Sequence, residues 1–197
     1  MENSSSEGPI VFGAKGTEPQ FMFTFTGRKF VFDDPYPSLS IIDIAHHLSM
    51  ICRWTGAVKE FYSVAQHSVL CSRIAGEPRI QLQRLLHDAH EAYTNDLNSP
   101  VKSLISSDYR KLAEKIQAAI WKKYGLEPPN VREMAEMKTV DLRMAATEAS
   151  QLMTGLPKSN VAYPYGVKEL GHAWDLSCPW EPRQAQEEFL SRFKELM

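Results

Sequence analysis

The fold is decided by one stretch of sequence, Leu85-Leu86-His87-Asp88-Ala89-His90-Glu91-Ala92-Tyr93-Thr94-Asn95-Asp96. Its alanine, leucine and glutamate residues favour a helix, and we expect that helix to run from about Arg79 to Thr94. In one continuous helix His87 and Glu91 lie on the same face, with Asp88 about 100° further round. Imidazole and carboxylate groups so placed are typical ligands of a divalent metal ion. A polar, partly exposed helix would carry the same residues.

Composition limits the classes of function that this chain can have. The 197 residues carry a formal net charge of −2, which argues against a basic face for a nucleic-acid polymer. No apolar run reaches membrane-spanning length, so no membrane partner is expected. Cys52, Cys71 and Cys178 are widely spaced and form no C-x-x-C pair, which indicates a reducing cytoplasm. A small anionic substrate remains compatible, because a few basic residues in a cleft can focus positive potential.

The amino-terminal region predicts a tail followed by a hairpin. Residues 1–20 are rich in Ser, Gly and Glu and are expected to form a flexible tail, so that the domain spans 21–197. In the next segment Phe21, Phe23 and Phe25 alternate with other residues, and a Thr-Gly turn precedes Phe30 and Phe32. This pattern predicts a β-hairpin with one face on the core. Packing is the favoured role for these aromatic residues, and a base-stacking platform is the alternative.

Helical periodicity dominates the remaining sequence. Strands do not alternate with helices, so we expect the all-α fold class, a mostly α single domain with a small N-terminal β-hairpin. Loops are expected at Asn95–Val101 and Gly155–Pro179, where Pro, Gly and Asn residues collect. The expected helices are Ser38–Trp54, Ser63–Ala75, Arg79–Thr94, one from the Ser106-Ser107-Asp108 cap to Tyr124, Val131–Met153 and Pro182–Leu196.

Two further residues supply partners for the His87-Asp88 pair. His67 lies near the start of a predicted helix among small residues, and Asp141 lies within an otherwise apolar helical stripe. An aspartate at such a position costs free energy to bury without a partner or a metal ion. The ordered set His67, His87, Asp88 and Asp141 therefore comes from three separate helices.

This ordered set resembles the HD-domain metal-dependent phosphohydrolases. The resemblance is closest to their small branch, which contains bacterial 5′-deoxynucleotidases and phage-type dATP triphosphohydrolases. It extends over Tyr62-Ser63-Val64-Ala65-Gln66-His67-Ser68 and Asn98-Ser99-Pro100-Val101-Lys102, and it covers the chain from about Phe23 to the end. It implies an HD-domain helical bundle whose divalent metal ligands are His67, His87, Asp88 and Asp141.

The same resemblance implies roles for other residues. Glu91 would position or deprotonate the attacking water, and Asp96 would act as a second acid/base or as a ligand of a further metal ion. The resembled family usually has a small residue at the position of His90, and we leave His90 out of the predicted metal ligands. The residues implied for substrate binding are Arg53, Trp54, Pro100, Lys102 and Lys138.

Each substrate-binding residue has an implied task. Arg53 and the two lysines would contact phosphate, whereas Trp54 would pack on the sugar or base. If the indole fills the space of a 2′-hydroxyl, a preference for deoxyribose follows. Pro100 would line the base pocket.

The resulting expectation is a hydrolase that removes phosphate from a deoxynucleotide, with a lean towards dATP or another dNTP. A 5′-deoxynucleotidase acting on dNMPs and a non-catalytic nucleotide-binding HD module are the alternatives. The metal could be Co, Mn, Mg, Zn, Fe or Ni. By resemblance we also expect a homo-oligomer in the cytoplasm, which is the host cytoplasm if the gene belongs to a phage.

Overall fold

A computed structural model describes residues 19–34, 37–105, 107–155, 167–170 and 174–197. This part of the chain is mostly helical with one antiparallel hairpin, which confirms the predicted fold class. No described helix combines the length and hydropathy needed to cross a membrane. The helices are α1 (Ile41–Met50), a 3₁₀ turn (Arg53–Gly56), α2 (Val64–Arg73), α3 (Pro78–Leu86), α4 (Glu91–Thr94), α5 (Ser99–Leu104), α6 (Ser107–Lys123), α7 (Val131–Leu152) and α8 (Pro182–Leu196).

Parts of three predictions lie outside the described residues. They are positions 1–18 of the predicted tail, position 106 of the predicted Ser106-Ser107-Asp108 cap, and positions 156–166 and 171–173 of the predicted loop Gly155–Pro179. The described residues of that loop form neither helix nor strand, in agreement with the prediction.

The hairpin forms where the sequence predicts it but presents the opposite face of its first strand. Strands β1 (Phe21–Phe23) and β2 (Lys29–Val31) pair so that Met22 lies opposite Phe30. Phe30 is fully buried and Met22 packs against the core, whereas Phe21, Phe23 and Phe25 are exposed. The predicted inward alternation of Phe21, Phe23 and Phe25 is therefore wrong, because a shift of one residue exchanges the faces of a strand.

Buried polar groups of α1 hold the hairpin turn in place. Asp43 is fully buried and accepts hydrogen bonds from Thr26 N at 2.8 Å and Thr26 Oγ1 at 2.9 Å. His47 Nε2 accepts from Phe25 N at 3.1 Å, while its Nδ1 donates to the Ala92 carbonyl at 2.8 Å. His47 therefore joins the hairpin to α4 through both of its ring nitrogens.

Helices α1, α2, α3 and α8 form the centre of the main core, to which α6 adds Ile116 and Ile120. Helices α1, α2, α3 and α8 pack on one another around the buried side chains of Leu48, Leu85 and Phe189. A second apolar cluster joins α2 to α7 through Leu70 and Met144. Packing of α7 against α2 brings the residues of these two helices to one side of the core.

The first predicted helix ends earlier than expected. Helix α1 stops at Met50 because Ile51 and Cys52 are extended, and Cys52 forms an isolated antiparallel bridge with Ser63. Arg53 N then donates to the Tyr62 carbonyl at 2.8 Å. This bridge fixes Arg53 beside the start of α2.

The predicted continuous helix over Arg79–Thr94 is divided at His87. His87 Nδ1 donates to the Arg84 carbonyl at 2.7 Å, which is the acceptor that Asp88 N would use in a continuing α-helix. Backbone bonds then follow a three-residue spacing, with Glu91 N donating to the Asp88 carbonyl at 2.9 Å. Such tight turns inside helices often mark functional positions.

The predicted loop over Asn95–Val101 contains the start of α5. Asn98 caps this helix by accepting from Val101 N at 3.0 Å, and Pro100 occupies its first turn. The Asn-Ser-Pro sequence therefore starts a helix instead of preventing one.

The hairpin register predicts different costs for two substitutions. Phe30→Ala should lower the free energy of unfolding by about 3–5 kcal/mol, because it empties a fully buried aromatic site. Phe23→Ala, on the exposed face of the same hairpin, should change it by no more than about 0.5 kcal/mol. Urea unfolding followed by circular dichroism measures both, and equal losses would contradict the pairing of Met22 with Phe30.

Candidate metal and phosphate site

Four side chains direct acceptor atoms at one another. His67 lies in α2, His87 and Asp88 directly follow α3, and Asp141 lies in α7. His67 Nε2 is 3.4 Å from His87 Nε2, 3.9 Å from Asp88 Oδ2 and 3.4 Å from Asp141 Oδ1. His87 Nε2 is 3.1 Å from Asp88 Oδ2 and 4.0 Å from Asp141 Oδ1. The structure thus brings together all four residues predicted as metal ligands, here called the acceptor cluster.

Hydrogen bonds on the far side of each imidazole fix its tautomer. His67 Nδ1 lies 2.6 Å from Glu148 Oε1, and His87 Nδ1 lies 2.7 Å from the Arg84 carbonyl. Both partners are acceptors, so each Nδ1 carries a proton and Nε2 is the ring atom left to bind a metal ion. Partners of this kind orient histidines that bind metal ions.

The residues of the acceptor cluster fit a divalent cation. The ligand atoms of His67, His87 and Asp88 all lie within 4.8 Å of one another. One ion can bridge these atoms, whose separations are 3.1–3.9 Å, because two metal–ligand bonds of about 2.0–2.2 Å span up to about 4.4 Å. Four converging acceptors repel one another unless a cation or protons lie between them. A set of two imidazoles and two carboxylates suits Mn, Fe, Co, Ni or Zn.

Charge within the acceptor cluster shifts its proton affinities. Burial raises the pKa of Asp88, but His87, His67 and Arg53 outweigh it and hold that pKa well below the usual range. Burial lowers the pKa of His67, yet the neighbouring Glu148 and Asp141 contribute to holding it well above the ordinary value. A proton and a metal ion therefore compete for the cluster, and metal binding should weaken as the pH falls.

Glu91 offers one carboxylate oxygen that no described group binds. The residue is only 2% exposed, and its Oε1 accepts from Lys102 Nζ at 2.9 Å. Its Oε2 is buried and has no hydrogen-bond partner among the described residues. Burial and the charges of Asp88 and Asp96 raise the pKa of Glu91 well above its ordinary value, although Lys102 opposes them. An unpartnered buried carboxylate oxygen is the group expected to hold a water molecule.

A cavity of about 570 Å³ adjoins the acceptor cluster. This volume falls within the range of about 300–1,000 Å³ that small-molecule sites occupy. Apolar side chains, among them Leu97, Leu142 and Met153, form part of its wall. The lining also contains all the residues predicted for catalysis or substrate binding and two of the predicted metal ligands: Glu91, Asp96, Arg53, Trp54, Pro100, Lys102, Lys138, Asp88 and Asp141.

Each cation of the cavity already pairs with a carboxylate. Lys138 Nζ donates to Asp141 Oδ2 at 2.7 Å. Arg53 Nε donates to Glu148 Oε2 at 3.0 Å, and its Nη1 lies 3.8 Å from Asp88 Oδ2. Burial lowers the pKa of Arg53, but these carboxylates outweigh it and the guanidinium stays charged. The cations are thus held at the cavity before any anion enters.

Strained backbone lies at Trp54 in the cavity wall and at two residues next to wall residues, Thr55 and Asn95. Trp54 and Thr55 have φ of 59° and 53°, the left-handed region that bulky and β-branched residues rarely adopt. Asn95 has φ of 67° and ψ of 161°, a conformation used almost only by glycine. The two segments are joined, because Asn98 Nδ2 donates to Thr55 Oγ1 at 3.2 Å. Strain of this kind collects where a site must be held in a fixed shape.

Glu148 is a residue of the site that sequence reasoning missed. It is fully buried in α7, and burial raises its pKa, but Arg53 and His67 outweigh it so that the carboxyl stays ionised. Its Oε2 also accepts from Trp54 Nε1 at 3.0 Å. The sequence signal that singled out Asp141, a carboxylate within an apolar helical stripe, also applies to Glu148. Glu148 lies two helical turns later on the same face, among alanines.

His90 lies away from the acceptor cluster, consistent with its omission from the metal set. Its Nδ1 and its backbone N both lie 3.2 Å from Gln117 Oε1, which belongs to α6. Burial lowers the pKa of His90. The ring therefore helps to fasten the turn after Asp88 to α6.

Comparison with known proteins relates the chain to two bacterial proteins. It is 44% identical to the uncharacterized protein YfdR of Escherichia coli over 133 residues, which cover 67% of this chain and 72% of YfdR. It is 35% identical to an uncharacterized protein of Rhodobacter capsulatus over 174 residues, 81% of this chain and 88% of that protein. The chain belongs to their family. No family model matches the sequence, and neither relative's name states an activity, so the HD-type resemblance stays a prediction.

The acceptor cluster predicts a metal-dependent gain in stability. At a Mn²⁺ concentration of about 100 times its Kd, the ion should raise the free energy of unfolding by about 2.7 kcal/mol. That gain corresponds to a rise of roughly 5–10 °C in Tm for a domain of this size. Asp88→Asn should abolish the rise, because it removes a charged ligand.

The exposed Asp108 provides the matched control, since Asp108→Asn makes the same chemical change on the surface of α6. This variant should keep the full shift in Tm, measured by calorimetry with and without Mn²⁺. An equal shift in the Asp88→Asn variant would place the metal elsewhere.

Proposed function

We propose that this protein is an HD-type, divalent-metal-dependent phosphohydrolase that acts on a deoxynucleotide. One observation carries the proposal. The acceptor cluster and the unpartnered Oε2 of Glu91 lie together at a nucleotide-sized cavity whose wall holds three cations. A bare acceptor cluster suits a metal ion, a free carboxylate oxygen suits a water molecule, and the cations suit phosphate.

The chemistry of the site divides among its residues. A divalent ion held by the cluster supplies positive charge that polarises a phosphoryl oxygen and acidifies a water molecule. Glu91 would take a proton from that water through its Oε2, which no described group binds. Lys102 opposes the rise that burial causes in the pKa of Glu91, and Asp96 offers a second carboxylate at the cavity wall.

Three cationic side chains in one cavity wall suit a substrate with several phosphates. Arg53, Lys102 and Lys138 all line the cavity, and each could exchange its carboxylate partner for a phosphate oxygen. We therefore place dATP or another dNTP first and dNMPs second. The indole of Trp54 and the ring of Pro100 supply apolar surface for sugar and base. The described cysteines Cys52, Cys71 and Cys178 are unpaired thiols, which fits an action in the cytoplasm, where deoxynucleotides are found.

Purified protein with Mn²⁺ or Co²⁺ should release phosphate or triphosphate from a panel of dNTPs and dNMPs, measured by product chromatography. Glu91→Gln should lower kcat by about 10²–10⁴-fold, because it removes the proposed general base. The same variant should still bind Mn²⁺, since Glu91 lies outside the acceptor cluster. Glu136→Gln, an exposed change on α7, serves as the control with unchanged kcat.

Two results would count against the proposal. Lack of turnover with every nucleotide and both metals would leave only a nucleotide-binding module. Full activity in the Glu91→Gln variant would require a different base. Turnover of dNMPs alone would select the 5′-deoxynucleotidase alternative.

The raised pKa of Glu91 predicts the acid limb of the pH profile. A base must be deprotonated, so kcat/KM should fall as the pH drops through a pKa that lies above the ordinary value for glutamate. Lys102→Met should move this limb to higher pH, because Lys102 lowers the pKa of Glu91. Lys138→Met removes a cation from the same cavity but not from Glu91, so it should lower kcat/KM without moving the limb. An unmoved limb in Lys102→Met would exclude Glu91 as the titrating group.

A further inference from the structure

One buried carboxylate connects the metal ligands to the wall of the substrate cavity. Glu148 Oε1 accepts from Nδ1 of His67 at 2.6 Å. Its Oε2 accepts from Nε of Arg53 and Nε1 of Trp54, each at 3.0 Å. The two oxygens of one side chain therefore serve two parts of the site.

We propose that Glu148 is a positioning residue that couples metal binding at His67 to the placement of Arg53 and Trp54. The inference rests on the proposed function, since it takes His67 as a metal ligand and Trp54 as a wall for the substrate. By thermodynamic linkage, a metal ion that fixes His67 also favours the observed placement of Arg53 and Trp54. Metal binding should therefore order Trp54, the proposed wall for the substrate, before the nucleotide enters.

Burial makes these hydrogen bonds costly for Glu148 to lose. Its side chain is fully buried, and an ionised carboxylate at such a depth must keep its donors. Glu148 also shares α7 with the cluster residue Asp141, two turns earlier on the same face. A shift of α7 would therefore move a direct ligand and the carboxylate together.

The strained turn at Trp54 needs such an anchor. Trp54 and Thr55 both adopt left-handed backbone conformations, which persist only where surrounding contacts enforce them. The described side-chain hydrogen bond of the indole goes to Glu148. Release of that bond would free the indole to leave the cavity wall.

Only a carboxylate can serve both sides at once. A glutamine at position 148 has a single acceptor oxygen, which should face the charged Arg53 and the indole of Trp54 because together they provide two donors. Its NH₂ group would then face Nδ1 of His67 and force the proton to Nε2. That tautomer has no lone pair for a metal ion.

The test is Glu148→Gln, an isosteric change, with folding checked by circular dichroism and Tm. Mn²⁺ affinity is measured by calorimetry. The second measurement is the shift in the maximum of tryptophan fluorescence on adding Mn²⁺, and the part of this shift that Trp54→Phe abolishes is assigned to Trp54. Wild type should bind Mn²⁺ and show this shift. The Glu148→Gln variant should bind about 10–100-fold more weakly and show no Trp54 shift at saturating Mn²⁺. Glu136→Gln on the same helix should behave as wild type.

Separate outcomes bear on the two proposals. Wild-type protein that binds no Mn²⁺ overturns the proposed function and this inference with it. Wild type that binds Mn²⁺ without a Trp54 shift overturns the coupling alone, as does retention of either the affinity or the shift in Glu148→Gln. If that variant does not fold, Glu148→Asp replaces it. The shorter carboxylate keeps the charge but cannot reach both sides, so the same losses are expected.

Discussion

The convergence of two imidazoles and two carboxylates in one small volume is the constraint on which the site depends, because a cation or protons must lie between them. Nε2 of His67 and Nε2 of His87 each lie within 4.0 Å of a carboxylate oxygen of both Asp88 and Asp141. Isolated helices would not hold these groups together. Packing of α2, α3 and α8, with α7 against α2, provides the free energy that does. Packing of the apolar core thus keeps the four side chains of the acceptor cluster close together.

Much of this arrangement could be predicted from the sequence because its signals are local. The bounds of α8 match the prediction, since an amphipathic period begins at a first-turn proline. Asp141 could be singled out because a carboxylate inside an apolar stripe needs a partner. The roles of His67, His87 and Asp88 as metal ligands were predicted from the resemblance to the HD-domain phosphohydrolases, and the structure brings all three residues to Asp141.

The errors arose where tertiary contacts overrule local patterns. The face of β1 depends on which residue lies opposite Phe30, and alternation alone fits either face. The break at His87 depends on a side chain taking a backbone acceptor, which helix propensity ignores. Glu148 was missed because its importance comes from three donors in distant segments, and only the folded chain brings them together.

The origin of the acceptor cluster in distant segments has a consequence for folding. Its members come from α2, the end of α3, and α7, so the cluster exists only when long stretches of chain have been closed into loops. An unfolded or half-folded chain offers at most the adjacent pair His87 and Asp88, which holds an ion weakly. Metal uptake should therefore be among the last events of folding, and a bound ion should slow the departure of α7 during unfolding.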